Sequence, residues 1–144
     1  MIDILVSIQV LYLTICVLEA WLEKIVIDLK NPGALNYILL NKKEHRRSAV
    51  YAVFVGLSLI ASAIVSSGFR WQYLVLIPVL LALRRIGFDF FLKLFRNRKI
   101  RDIEGNGFVD GIFKNVYGDK GGWLDLLTCL VLVAVVNLLI YYTA

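Results

Sequence analysis

Residues 71–98, WQYLVLIPVLLALRRIGFDFFLKLFRNR, decide the fold of this chain. The stretch begins with an almost wholly apolar run, Tyr73 to Leu83, and continues into Arg84-Arg85 without a break in helical spacing. Asp89 follows Arg85 by four residues, so the two side chains share one face of a helix. An apolar half followed by a charged, aromatic half is typical of a helix that leaves a lipid bilayer.

The composition of the whole chain agrees with that interpretation. Hydrophobic residues make up 60% of the 144 residues, and the mean hydropathy is +0.76. A water-soluble domain of this size has too little interior to bury so much apolar surface. Cys16 and Cys129 both lie in apolar runs, far apart, and with a single histidine they predict neither a zinc site nor a disulfide framework.

We therefore predict an all-α fold, an integral membrane bundle of four transmembrane helices with a cytoplasmic surface helix or loop between spans three and four. The chain forms one transmembrane domain, 1–144. A span of about 20 apolar residues covers a hydrocarbon core of roughly 30 Å. The predicted spans are about 2–27, 48–67, 71–95 and 123–142, and the predicted cytoplasmic segments are 28–47 and 96–122.

The basic residues set the predicted orientation. With four spans, both long connections lie on one side of the membrane, and of the 16 Lys and Arg residues only Arg70 lies on the other side. The positive-inside rule places the basic connections in the cytoplasm and both termini outside. Segregated positive charge in so apolar a chain favours contact with a membrane over contact with nucleic acid.

Charged residues near the cytoplasmic ends of spans one and three are candidates for pairing within the membrane. Glu19 and Glu23 share one face of span one, at a depth similar to that of Arg84 and Arg85. Because an uncompensated carboxylate is costly at the edge of a bilayer, we expect a pairing of these acids with Arg84, Arg85 or the arginines at 46 and 47. The alternatives are side chains that reach out to the headgroups and a pathway for protons or ions.

Polar residues in the outer half of the spans are candidates for contacts between helices. Gln9 and Asn137 fall at comparable depth, and Ser62 and Ser66 lie nearby on span two. Small residues at a spacing of four, in the rows Ala52/Gly56 and Ser58/Ser62/Ser66, let helix backbones approach closely. Interhelical packing is the favoured role, and a polar pore lining is the alternative.

Basic and acidic residues outside the spans suggest two further sites. The interfacial group His45, Arg46 and Arg47 is expected to bind anionic lipid headgroups. The connection after span three partly matches a calcium-binding loop, through Asp102, Glu104, Asn106 and Asp110. Phe113 stands where the calcium loop requires glutamate, so a solvated acidic turn is favoured over a metal site. We predict no cofactor.

The motif Arg84-Arg85-x-x-Phe88-Asp89, followed later by Tyr117-Gly118 and by Asp125, resembles small four-span membrane proteins of phages and their bacterial hosts. The resemblance covers roughly the second half of the chain and departs from the pattern at Lys93, where an asparagine is expected. The resemblance implies a phage or prophage membrane component, located in a bacterial inner membrane or a virus-associated membrane, and no particular activity.

Four spans leave no soluble domain able to hold an independent active site, so the leading functional prediction is not enzymatic. It is a small integral membrane subunit that packs into a larger assembly with itself or with partner proteins, and no catalytic residue is assigned. The first alternative is a channel or holin-like pore. The second is a membrane-embedded enzyme that acts on lipid-linked substrates through Glu19, Glu23, His45 and Asp89.

Overall fold

The computed structural model describes residues 2–29, 36–95, 112, 115–118 and 121–143, with the side chains of residues 27–49 excluded. This part of the chain is helical apart from turns, and it contains no strand. The elements are α1 (Ile2–Leu29), α2 (Asn36–Ser67), α3 (Gln72–Arg84), a π-helical turn (Arg85–Phe90), α4 (Phe91–Phe95) and α5 (Gly122–Thr143). The predicted all-α class is confirmed for the described residues.

Three of these helices are long and apolar enough to cross a membrane: Ile2–Val26, Val50–Ser67 and Gly122–Thr143. They coincide with the first, second and fourth predicted spans. The third predicted span, 71–95, is a helical path made of α3, the π-turn and α4. Its α-helical part stops after 13 residues at Arg84, where the charged half begins.

The boundaries of the second helix differ from the prediction. The sequence predicts a span from about residue 48 after a cytoplasmic segment, 28–47, whereas the helix α2 already begins at Asn36, within that segment. At its other end, α2 stops where Gly68 adopts a φ of +80° and donates its backbone N–H to the carbonyl of Ile64 at 2.9 Å. Glycine suits this left-handed position, and the turn folds α3 back alongside α2.

The helix α3 lies at the centre of the bundle and contacts α1, α2 and α5, while the π-turn and α4 continue along α1. One face of α1 supplies a buried row at helical spacing: Leu5, Ile8, Tyr12, Cys16 and Ala20. The facing residues of α3 and its continuation are also buried, among them Tyr73, Leu76, Val79, Leu83 and Phe88. Spacings of three and four residues therefore place the core between the helices.

The outer surface is as apolar as the core. Large exposed hydrophobic residues occur along α1, α2 and α5, such as Leu11, Phe54, Leu130 and Leu138. Three polar side chains, those of Gln9, Gln72 and Asp125, are buried between the helices. A helical protein with apolar residues outside and polar residues between its helices is suited to a lipid environment.

Two glycines mark the places where helices approach most closely. A Cβ atom added to Gly87 in the π-turn would lie 2.8 Å from Leu13 Cδ1 and 2.9 Å from Cys16 Cβ on α1. A Cβ atom added to Gly56 on α2 would lie 3.3 Å from both Leu80 Cδ1 and Tyr12 Cε2. Glycine at these positions lets α1 pack directly on the backbone of the π-turn and on α2.

The two rows of small residues on α2 face opposite ways. Ala52 and Gly56 are buried against the bundle, whereas Ser58, Ser62 and Ser66 are exposed on the outward side. The separation follows from the helical period, because two residues along the chain correspond to about 200° around the axis. The first row is used within the chain, and the second forms part of its outer surface.

Candidate functional site

An ion pair joins α1 to the end of α3. Arg84 donates from Nη1 to Glu19 Oε2, and the two side chains are only 14% and 18% exposed. The guanidinium of Arg84 also lies over the ring of Phe88, with Cζ 3.9 Å from the ring centroid. Charge pairing and a cation–π contact therefore hold Arg84 in one orientation, directed at α1.

A second ion pair joins the π-turn to α5. Arg85 Nε lies 2.7 Å from Asp125 Oδ1 and 2.8 Å from Oδ2, and Nη2 lies 2.7 Å from Oδ2. The side chains of Arg85 and Asp125 are 12% and 8% exposed. Asp125 belongs to the first turn of α5, where a negative charge is also favoured by the helix dipole. The fork of hydrogen bonds fixes both the distance and the rotation of α5 relative to the π-turn.

Asp89 extends this second pair toward the surface. Its Oδ2 atom lies 3.4 Å from Arg85 Nη1, and its side chain is one-third exposed. We refer to Glu19, Arg84, Arg85, Asp89 and Asp125 as the charged layer. It places two guanidinium groups among three carboxylates at the junction of α1, the π-turn and α5.

A small cleft opens beside the charged layer. Arg85, Asp89, Lys93 and Asp125 contribute its polar lining, and its volume is about 20 Å³. That volume is enough for a water molecule and too small for a lipid headgroup or another substrate. In the described residues, no group of three or more His, Cys, Asp or Glu side chains is arranged to hold a metal ion.

The helix changes from α to π geometry at Arg85, where two consecutive arginines contact different helices. Consecutive residues on a helix point about 100° apart, so adjacent arginines do not face the same partner. Arg84 ends α3 and meets α1, while Arg85 begins the π-turn and meets α5. Single π-turns within α-helices occur frequently at functional sites. Here the turn lies where three helices are joined by charge.

A second polar contact joins α1 and α5 nearer the other end of the bundle. Gln9 Nε2 donates to Asn137 Oδ1 at 2.8 Å, and Asn137 Nδ2 donates back to Gln9 Oε1 at 2.9 Å. Asn137 also donates to the carbonyl of Val133 in its own helix. We call Gln9 and Asn137 the amide pair. Ten residues separate Gln9 from Glu19 along α1, so the amide pair lies about 15 Å from the charged layer.

The remaining predicted residues are placed as follows. Ser62 and Ser66 lie on the outward face of α2, and the Ser66 hydroxyl donates to the Ser62 carbonyl of its own helix at 2.8 Å. The structure therefore does not bring these serines to Gln9 and Asn137, and their role in interhelical packing stays a prediction. Of the alternative partners expected for Glu19 and Glu23, Arg84 pairs with Glu19, whereas Arg85 contacts Asp125 and Asp89. Glu23 lies half-buried one turn beyond Glu19.

Two groups of predicted site residues cannot be placed. The side chains of His45, Arg46 and Arg47 lie outside the described part of the chain, although their backbone belongs to α2. The proposed headgroup and lipid-substrate roles of these residues stay predictions. The acidic loop with Asp102, Glu104, Asn106 and Asp110 also lies outside the described residues.

Sequence reasoning assigned no pairing role to Asp125 or Gln72. The signal for Asp125 was present, because a carboxylate at the start of an apolar helix needs a partner and lies at the depth of Arg84-Arg85. Gln72 is buried and donates from Nε2 to the carbonyl of Thr143 at 3.2 Å. It thereby donates to one of the last backbone carbonyls of α5. These carbonyls have no hydrogen-bond donor within their own helix.

Comparison of the chain with protein-family models, with curated proteins and with solved structures finds no match.

Proposed function

We propose that the chain is a non-enzymatic integral membrane subunit with four spans, in which α3, the π-turn and α4 together form the third span. Its basic connections face the cytoplasm and its termini lie outside. Its function is to pack into a larger membrane assembly, either with further copies of itself or with partner subunits. The motif around Arg84 and Asp89 supports a phage or prophage origin and a bacterial inner membrane or virus-associated membrane.

The observation that carries this proposal is the outward row Ser58, Ser62 and Ser66 on α2. Most of the surrounding surface consists of large apolar side chains suited to lipid, such as Tyr51 and Phe54. Small residues at a spacing of four let a second helix approach the backbone closely, which is the usual geometry of helix contacts in membranes. The Ser66 hydroxyl already donates to a carbonyl of its own helix, so another helix can cover Ser66 without leaving this hydroxyl unsatisfied.

The charged layer supports a structural role over a catalytic one. Glu19 and Asp89, two members of the alternative enzyme's residue set, contact Arg84 and Arg85 respectively. The space beside them is of water size. In this proposal, the ion pairs of the charged layer hold α1, the π-turn and α5 together.

The test is the mass of the detergent-solubilised particle, measured by light scattering and native mass spectrometry. We expect a fixed multiple of the 16.4 kDa chain or a fixed complex with a co-purifying subunit. Ser62→Leu should reduce the particle to a single chain, because the larger side chain prevents close helix contact. Ser7→Leu, a substitution of an exposed serine on α1, is the matched control and should leave the mass unchanged. A wild-type particle containing one chain and no partner contradicts the proposal.

A further inference from the structure

The third span has an unusually short apolar part. The helix α3 has 13 residues, Gln72–Arg84, which rise about 20 Å against a hydrocarbon core of roughly 30 Å. To cross the membrane, the path must continue through Arg84, Arg85 and Asp89. By length and composition, the other three spans need no such continuation through charge.

Both arginines of this path are paired with carboxylates from other spans. Glu19 of α1 accepts from Arg84, and Asp125 of α5 accepts from Arg85. All four side chains are largely buried. A buried arginine is costly in a membrane unless it is paired, and each of these arginines has a partner on a span that is apolar enough to insert without help.

We infer that Glu19 and Asp125 hold the third span in the membrane: α1 and α5 insert on their own hydrophobicity, and their carboxylates compensate the two arginines of the marginal helix between α2 and α5. The inference rests on the proposed four-span topology and adds a dependence of one span on two others. It also explains why the ion pairs lie where they do, because Arg84 and Arg85 directly follow the apolar residues of α3.

The experiment is cell-free translation into inverted bacterial membrane vesicles, whose cytoplasmic face is outermost. A membrane-impermeant maleimide is added before or after detergent to chains with Val116→Cys, in the connection before α5, or Phe69→Cys, in the turn before α3. Both positions are exposed. In the wild-type background, we expect Val116→Cys to react without detergent and Phe69→Cys to react only after it. The parent chain without an added cysteine measures any signal from Cys16 and Cys129, which are buried.

Removal of both acids should leave the third span outside the bilayer. In the Glu19→Gln/Asp125→Asn chain, the connection with Val116→Cys then stays on the inner side of the vesicle, and its labelling without detergent should fall at least about twofold. Asp3→Asn removes an exposed acid outside the charged layer and is the matched control. It should label as the wild type does.

A rescue separates loss of pairing from general damage to the fold. Adding Arg84→Gln and Arg85→Gln to the two acid substitutions removes the charge that needed compensation, so labelling of Val116→Cys should return to the wild-type level. Wild-type labelling of the acid-substituted chain overturns the inference and leaves the four-span topology intact. Labelling that stays low after the two arginine substitutions are added also overturns the inference. Protection of Val116→Cys in the wild-type chain until detergent is added contradicts the four-span topology itself.

Discussion

Replacement of Gly87 by alanine should measurably destabilise the bundle. The added Cβ atom would lie 2.8 Å from Leu13 Cδ1, 2.9 Å from Cys16 Cβ and 3.3 Å from the Leu13 carbonyl oxygen. Ordinary contacts between carbon atoms are about 3.5–4.0 Å long, so α1 and the π-turn must move apart. Overpacking of this kind costs about 1–3 kcal/mol, and the gain of roughly 0.5–1 kcal/mol from replacing a helical glycine offsets part of it. The expected net loss of unfolding free energy is about 1–2 kcal/mol.

The assay is reversible unfolding in mixed micelles, followed by helix content as the denaturing detergent is increased. Gly56→Ala is the matched control, because its Cβ atom would meet Leu80 and Tyr12 at 3.3 Å, where side chains need to shift by only a few tenths of an ångström. We expect Gly56→Ala to remain close to the wild type. The reasoning is refuted if Gly87→Ala unfolds at the wild-type midpoint or loses less stability than Gly56→Ala.

Three further predictions concern the polar contacts. Asp125→Asn should lower the unfolding free energy by about 3 kcal/mol, because Arg85 loses its buried opposite charge while retaining Asp89. Adding Arg85→Gln should recover part of this loss in the same micelle assay. A double-mutant cycle with Gln9→Leu and Asn137→Leu should give a coupling energy of about 0.6–1.7 kcal/mol, and additive effects would contradict the amide pair. Gln72→Leu should accelerate hydrogen exchange in the last turn of α5 and lower the unfolding free energy by about 0.5–1.5 kcal/mol. Unchanged exchange in that turn would contradict the capping role of Gln72.

Much of the helical architecture follows from hydropathy and spacing alone. Long apolar runs have few physical alternatives to helices, so the spans at 2–27 and 123–142 match α1 and α5 within two residues. The predicted span 48–67 agrees with the apolar part of α2, but the start of the helix at Asn36 was not predicted, because the polar residues before the span were assigned to a connection. Hydropathy does not distinguish a helix that continues out of an apolar region from a connection that leads into it.

The charged layer was only partly accessible from the sequence. Depth comparison brought Glu19 to the level of Arg84, because position along a straight helix converts directly into height. The partner of Arg85 required a second consideration, namely that adjacent residues on a helix point in different directions and need different neighbours. That consideration was available from the sequence and leads to Asp125. The π-turn was not, since it depends on tertiary contacts such as that of Gly87 with α1.

The serine row shows that depth in the membrane alone does not predict which residues meet. Ser62 was grouped with Gln9 by depth alone, but depth leaves the direction of a side chain undetermined. Angular position around α2 separates Gly56 from Ser58 by more than half a turn, and the structure places the first inward and the second outward. Height and angle together are needed to predict which polar residues in a membrane helix meet.

The amide pair connects residues 128 positions apart in the chain, so this contact of α1 forms only after α5 has been synthesised. Asp125, too, reaches Arg85 only with α5. A chain that ends before residue 122 therefore lacks the α5 partners of Gln9 and Arg85. Such a truncated chain would present these two polar groups where the complete bundle covers them with α5, and membrane proteases would be able to recognise the difference.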